Sequence, residues 1–184
     1  MRPQNIIGVL SAIVAYPFIA ASVILSPWFD FSNNALSDLG NSALHASTAW
    51  IFNSGLILSG GLVACFAVLI SVRHRSLKYL SWSIPAAAAG IDLALVGFFP
   101  ENTGSTHFVV SVILFSLMAV TMLIYSYCSW PLGSPKIGAI SLAFGIAIPV
   151  IWFVGWPWHG VAIQEVLSCL MTSAWLLMVS NRNV

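Results

Sequence analysis

Five carboxylates and four histidines are the side chains of this sequence best suited to acid–base or metal chemistry. They are not spread evenly along the chain. All five acids, and every histidine except His74, fall in or near the connections between long apolar runs one and two, three and four, and five and six. In a bundle of antiparallel spans these connections share one face, which we call the outer face. The residues are Asp30, Asp38, Asp92, Glu101, Glu165, His45, His107 and His159.

Two of the carboxylates lie inside apolar runs. Asp92 comes eight residues before Pro100, or about 12 Å along a helix. Glu165 follows His159 by six residues, or about 9 Å. An ionisable side chain at such a depth costs about 2.5 kcal/mol or more, so both should face the interior of a bundle or a wet cavity. Their similar depths permit them to line one cavity, where either can act as a general base.

Other polar residues continue along the same faces. Asn53 is expected at the depth of Asp92, while His107 and Ser111 are four residues apart and share a helix face. We therefore predict a polar pocket entered from the outer face and roofed by an outer loop at residues 27–46. The alternative is that the buried amide and carboxylates only hydrogen-bond between helices. The candidate ligand-binding residues are Asp38, Asn53, Asp92, Glu101, His107, Ser111 and Glu165, of which Asp92, Glu165 and His107 are also the catalytic candidates.

Three histidines stand at or just before the start of an apolar run on the outer face: His45, His107 and His159. Three imidazoles with a carboxylate can bind Zn²⁺ in an open catalytic site. Their spacing matches no zinc signature such as H-E-x-x-H. A zinc cofactor is therefore a hypothesis that requires the fold to bring the three rings together.

The elements that must position these residues are transmembrane helices. Hydrophobic residues make up 59% of the 184 residues and charged residues 6%, against about 25% charged residues in a soluble domain. A span needs about 20 mostly apolar residues, and six segments qualify. We predict an all-α, six-helix transmembrane domain over residues 1–184, with kinks at Pro17, Pro85 and Pro149 and close helix contacts at the small residues 59–61 and 86–90. The predicted helices cover residues 6–26, 47–72, 79–99, 107–127, 137–156 and 159–180.

The basic residues predict the orientation. With six helices, every lysine and arginine falls on the face opposite the acids, which we call the inner face. Loops rich in Lys and Arg stay cytoplasmic, so we expect a multi-pass cell-membrane protein with both termini in the cytoplasm. A net charge of +1 gives no support for nucleic-acid binding. The residues are Arg2, Arg73, Arg75, Lys78, Lys136 and Arg182.

Three stretches of the chain carry a resemblance to a known family. They read NALSDLG at 34–40, IFNSGLILSG at 51–60, and FPEN at 99–102 followed by HFVVS at 107–111. Together they resemble the prokaryotic, especially archaeal, membrane family catalogued as domain of unknown function 998, which is distantly similar to the DRAM and Sfk membrane proteins. The resemblance implies the six-helix plan and assigns no particular biochemical activity. The positions that match its recurring motifs are Ser37, Asp38, Gly40, Asn53, Pro100, Glu101 and His107.

Three functions fit these features. The first is a binding protein for a lipid, a small ligand or a partner membrane protein, including a second copy of this chain, because the sequence has no phosphate-binding loop, nucleophile elbow or dinucleotide fingerprint. The second is a membrane-embedded lipid hydrolase or transferase with its site at the outer leaflet, using the carboxylates and histidines there, with or without a metal. The third is a proton-coupled transporter, because intramembrane carboxylates often relay protons.

Overall fold

The computed structural model describes residues 3–182, and the regular secondary structure of this part of the chain is all helical. Arg2 and the ends of the predicted 1–184 domain lie outside the described residues. Two short 3-10 helices, Leu36–Gly40 and Glu101–Thr103, lie in the connections. The α-helices of the described part are α1 (Pro3–Ile13), α2 (Ala15–Ile24), α3 (Ala46–Arg73), α4 (Leu77–Phe98), α5 (Ser105–Ser129), α6 (Pro135–Phe153) and α7 (Ala162–Ser180).

The first span consists of α1 and α2, which follow each other as one apolar segment, Pro3–Ile24, with a break at Val14. Pro17 accounts for the break, because it has no N–H to donate to the carbonyl of Ile13 and its ring crowds that carbonyl. Pro85 and Pro149 lie inside α4 and α6, which both continue through them. A proline therefore interrupts only the first of these helices.

Six helical segments of the described chain are long and apolar enough to cross a membrane, which confirms the predicted six-helix transmembrane bundle. The first five predicted helices agree with the structure to within about three residues at each end. The sixth begins at Ala162 rather than at 159. Residues His159 and Gly160 are instead engaged by the outer loop, since their N–H groups donate to the carbonyl of Ser32.

Consecutive spans pack beside each other, and α7 closes the ring by packing against α1. The contact between α3 and α4 depends on two glycines. A Cβ atom on Gly60 would lie 2.5 Å from the carbonyl oxygen of Gly90, and one on Gly90 would lie 2.4 Å from the backbone nitrogen of Ala64. The predicted close approach of small residues at these positions is therefore confirmed.

The two ends of the bundle differ in charge. The described Lys and Arg residues lie at the inner face, where α3, α5 and α7 end. There the Arg182 guanidinium donates to the Leu132 carbonyl at 2.8 Å and to the Tyr125 hydroxyl at 3.3 Å. Just above this end, the rings of Trp82, Tyr125 and Trp175 pack edge to face with centroids 5.2–6.1 Å apart. We call these three rings the inner aromatic cluster.

Candidate functional site

The 3-10 helix Leu36–Gly40 is the centre of the outer face, and its N-terminal end is held by a carboxylate from α7. Glu165 accepts a hydrogen bond from the backbone N–H of Leu36 at 2.5 Å and another from that of Ser37. Asp38 accepts from the N–H of Ala35 and from the Asn34 amide, each at 3.0 Å. Backbone N–H groups at the start of a helix lack partners within it and favour negative charge. Both carboxylates therefore satisfy the backbone of the loop.

The C-terminal end of the same 3-10 helix is fixed to α3 and to the next outer connection. The Asn53 amide donates to the Gly40 carbonyl at 3.0 Å. A Cβ atom on Gly40 would lie 2.3 Å from the Asn53 side-chain oxygen, so the contact requires glycine. Asn41 donates to the Glu101 carboxylate, and Ser42 donates through its N–H and hydroxyl to Asn102. The family-like stretches at 34–40, 51–60 and 99–102 thus meet at one place.

The outer loop also pairs with the turn before α7. The carbonyl of Asn34 accepts from the N–H groups of Val161 and Ala162 at 3.1 and 3.0 Å. Gly160 lies so close that a Cβ atom there would be 2.2 Å from the Asn34 carbonyl oxygen. These contacts make the loop a fixed roof over the bundle.

Beneath this roof a cavity of about 580 Å³ lies between α5, α6 and the start of α7. We call it the outer groove. The charged side chains and His107 lie at its outer end, whereas apolar and aromatic side chains line its walls along the whole length. The polar residues are Ser37, Asp38, Glu101, His107, Ser111, Ser116 and Glu165, and the bulkier apolar ones are Phe108, Val112, Phe115, Ile148, Trp152 and Phe153.

His107 has a defined arrangement at the polar end. Its ring is 8% exposed, and its Nδ1 lies 2.7 Å from the Phe99 carbonyl oxygen. A carbonyl only accepts, so Nδ1 carries the proton, and Nε2 of the neutral ring is then a hydrogen-bond acceptor. Nε2 has no hydrogen bond to another described residue. The imidazole therefore brings an acceptor without a protein partner to the groove.

The structure brings some of the predicted ligand residues together and separates others. Five of the seven line the outer groove, namely Asp38, Glu101, His107, Ser111 and Glu165. Asn53 lies behind them, where it holds the roof. Asp92 is 6% exposed and does not line the groove, so the expectation that Asp92 and Glu165 share one cavity is wrong for this cavity. Its Oδ2 atom is buried without a hydrogen-bond partner.

The three histidines proposed for zinc lie in three different environments. The His45 ring stacks on Trp28 with centroids 3.9 Å apart, His107 is held by Phe99, and His159 is exposed in the turn before α7. Across residues 3–182, no group of three or more His, Cys, Asp or Glu side chains is placed to hold a metal ion. The geometry therefore gives no support to a zinc site built from these histidines.

Two features of the site were not predicted. The aromatic wall of the groove, formed by Phe108, Phe115, Trp152 and Phe153, was missed because a tryptophan near the end of an apolar run is typical of a membrane-interface anchor. In the structure the Trp152 ring lies 4.7 Å from that of Phe115, and its Nε1 donates to Ser168 at 3.3 Å. The pairing of the roof with the turn before α7 uses backbone groups, which have no residue signature. Gly160 was the one available signal, because a glycine beside a loop often marks a close backbone approach.

Comparison with known proteins gives a family whose function is not assigned. Residues 9–182 match the family described as "Protein of unknown function (DUF998)". No curated protein and no solved structure gives a significant match.

Proposed function

The chain belongs to the DUF998 family of proteins of unknown function, and from that premise we propose that it binds a membrane amphiphile in the outer groove. The observation that carries the proposal is that the charged side chains of the groove lie at its outer end, while its walls are mostly apolar and aromatic. An amphiphile has its polar group at one end in the same way. The volume of about 580 Å³ is within the range of about 300–1,000 Å³ for small-molecule sites.

The length of the groove fits a hydrocarbon chain. From His107 to Ala119 it follows α5 for about 18 Å at 1.5 Å per residue. One leaflet contributes about 15 Å, half of the 30 Å hydrocarbon core. A chain that enters beside His107 therefore finds an apolar wall through the depth of the outer leaflet.

The side chains at the edges of the groove support entry of a ligand from the lipid rather than from water. Phe108 on α5 is 69% exposed and Phe153 on α6 is 90% exposed, and both line the groove. Above them, the roof is hydrogen-bonded to α3, α7 and the connection at Glu101–Thr103. The side facing the bilayer is thus apolar and open, while the side facing water is covered.

The other two functions have less support. The inner aromatic cluster packs between α4, α5 and α7 near the inner face, which favours a site with one entrance over a transport path. A lipid hydrolase or transferase would need a free base beside the reacting bond, but Glu165 is engaged with the roof. Of the three catalytic candidates from the sequence, His107 is the one that lines the groove without holding the roof.

We also propose the setting in which this binding takes place. The inner face, which carries the basic residues, is cytoplasmic by the positive-inside rule, so the groove opens to the outer leaflet of the cell membrane. An archaeal source, a distant relation to the DRAM and Sfk proteins, and association with another membrane protein or a second copy of the chain stay predictions.

Photo-crosslinking tests the proposal. The protein in lipid nanodiscs is exposed to a mixture of long-chain amphiphiles that carry a diazirine in the chain and an amine, alcohol or phosphate head. We expect saturable labelling of peptides from α5 and α6. Ser111→Trp, which fills the groove, should abolish it, whereas Ser54→Trp on the exposed surface of α3 should not. Labelling that is unsaturable and equal in both variants would refute the proposal.

A further inference from the structure

We infer that the preferred ligand of the outer groove is a long-chain amphiphile whose head group is a protonated amine bearing N–H donors. This inference rests on the proposed function and specifies the chemistry of its ligand. It starts from the outer end of the groove, where Asp38, Glu101 and His107 offer acceptors beside the hydroxyls of Ser37 and Ser111, which both donate and accept.

Two carboxylates at this end each keep one oxygen for a ligand. Asp38 uses Oδ2 to hold Asn34 and Ala35, and Glu101 uses Oε2 to accept from Asn41. Within residues 3–182, Oδ1 of Asp38 and Oε1 of Glu101 have no hydrogen bond. Both residues line the groove, so these oxygens provide two acceptors with negative charge.

His107 adds an independent indication. Its side chain is more than nine-tenths buried, and its Nδ1–H is used by the Phe99 carbonyl. This leaves Nε2 as an acceptor with no partner in the described chain. A donor on the ligand would give this acceptor a hydrogen-bond partner inside the groove.

The charges around the site also favour a ligand with a cationic head group. The described Lys and Arg side chains are all at the inner face, so none of them balances the Asp38 and Glu101 carboxylates at the outer end. A phosphate head would add negative charge to an uncompensated negative site, which disfavours anionic lipids. An ammonium group would supply both positive charge and donors. A quaternary ammonium would supply the charge alone, because it has no N–H.

The experiment compares amphiphiles that share one diazirine-bearing alkyl chain and differ in the head group. The heads are a primary amine, a trimethylammonium, an alcohol and a phosphate, and each is competed against the labelled amine in nanodiscs. We expect the primary amine to compete on the order of tenfold better than the alcohol, since a charge-assisted hydrogen bond is worth at least that ratio. The phosphate should be the weakest competitor.

Variants test which residues recognise the head group of the ligand. Glu101→Gln should reduce the preference for amine over alcohol several-fold without abolishing labelling by the alcohol. Asp30→Asn is the matched control, because Asp30 is an outer carboxylate that does not line the groove. It should leave the preference unchanged.

The outcomes separate the inference from the proposed function. Equal competition by all four heads, with groove labelling intact, would overturn the inference and leave amphiphile binding in place. A preference for trimethylammonium over the primary amine would also overturn it, in favour of recognition by the aromatic wall. Competition by free ethanolamine as effective as that of the long-chain amine would retain the amine chemistry and overturn the amphiphile. Absence of saturable labelling with every head would overturn both.

Discussion

The carboxylate of Glu165 on α7 lies 2.5 Å from the backbone nitrogen of Leu36, 129 positions earlier in the chain, and so joins the last span to the roof of the outer groove. Because Glu165 also lines the groove, one side chain both holds the roof and borders the ligand space. Roof and groove are therefore coupled, and changes to either should be measurable in the other.

Replacing Glu165 should release the roof. Glu165→Ala removes the acceptor of the Leu36 and Ser37 N–H groups, at a cost of about 1–3 kcal/mol for donors left unsatisfied in a covered site. We expect a lower thermal midpoint and faster protease cleavage within residues 27–45. Glu165→Gln keeps one acceptor oxygen and should be intermediate. If the alanine variant is cleaved at the wild-type rate, Glu165 does not hold the roof.

Gly160 should be required for the same coupling. In Gly160→Ala the new Cβ would lie 2.2 Å from the Asn34 carbonyl oxygen, so the roof must shift away from the turn. We expect a loss of about 1–3 kcal/mol, as for overpacking, seen as a lower thermal midpoint. Gly155→Ala is the matched control in the same connection, because a Cβ there has no neighbour within 4 Å. Equal midpoints for the two variants would contradict the docking of the roof on Gly160.

The helix contact between α3 and α4 offers a comparison of adjacent residues. Gly60→Ala would force a Cβ to within 2.5 Å of the Gly90 carbonyl and the Ala94 nitrogen, whereas Gly61→Ala meets no atom within 4 Å. The first variant should lower the thermal midpoint by separating the helices. The second should be neutral or stabilising by up to about 1 kcal/mol, the difference in helix propensity. Destabilisation by Gly61→Ala alone would show that α3 is rotated relative to this arrangement.

Replacing Asp92 tests whether this buried carboxylate holds neighbouring helices together. Its Oδ2 has no hydrogen-bond partner, and the side chain is 6% exposed in a transmembrane helix. Asp92→Asn removes a charge that is costly at this depth and breaks no hydrogen bond between described residues. We expect a thermal midpoint equal to or above that of the wild type. A clear decrease would mean that Asp92 holds neighbouring helices together.

The sequence was sufficient to predict the spans because hydrocarbon length and the rarity of charge constrain them strongly. It also predicted that His107 and Glu165 meet at the outer face, since both follow from depth along a helix. It could not predict the position of Asp92, because the rotation of α4 about its axis is set by packing. Gly90 faces α3, and two residues further the helix has turned by about 200°, which directs Asp92 away from that contact.

The proposed orientation makes a prediction about the two ends of the bundle. Arg75 follows α3 on the basic inner face, and Gly104 precedes α5 on the outer face. A reporter inserted at residue 75 should be cytoplasmic and one at residue 104 external, because Lys and Arg near the ends of the spans set topology. Accessibility to a membrane-impermeant reagent in intact cells measures both, and lysed cells provide the control for total labelling. Reporters at 75 and 104 in one compartment would contradict the six-span arrangement, and labelling of 75 alone would place the outer groove in the inner leaflet.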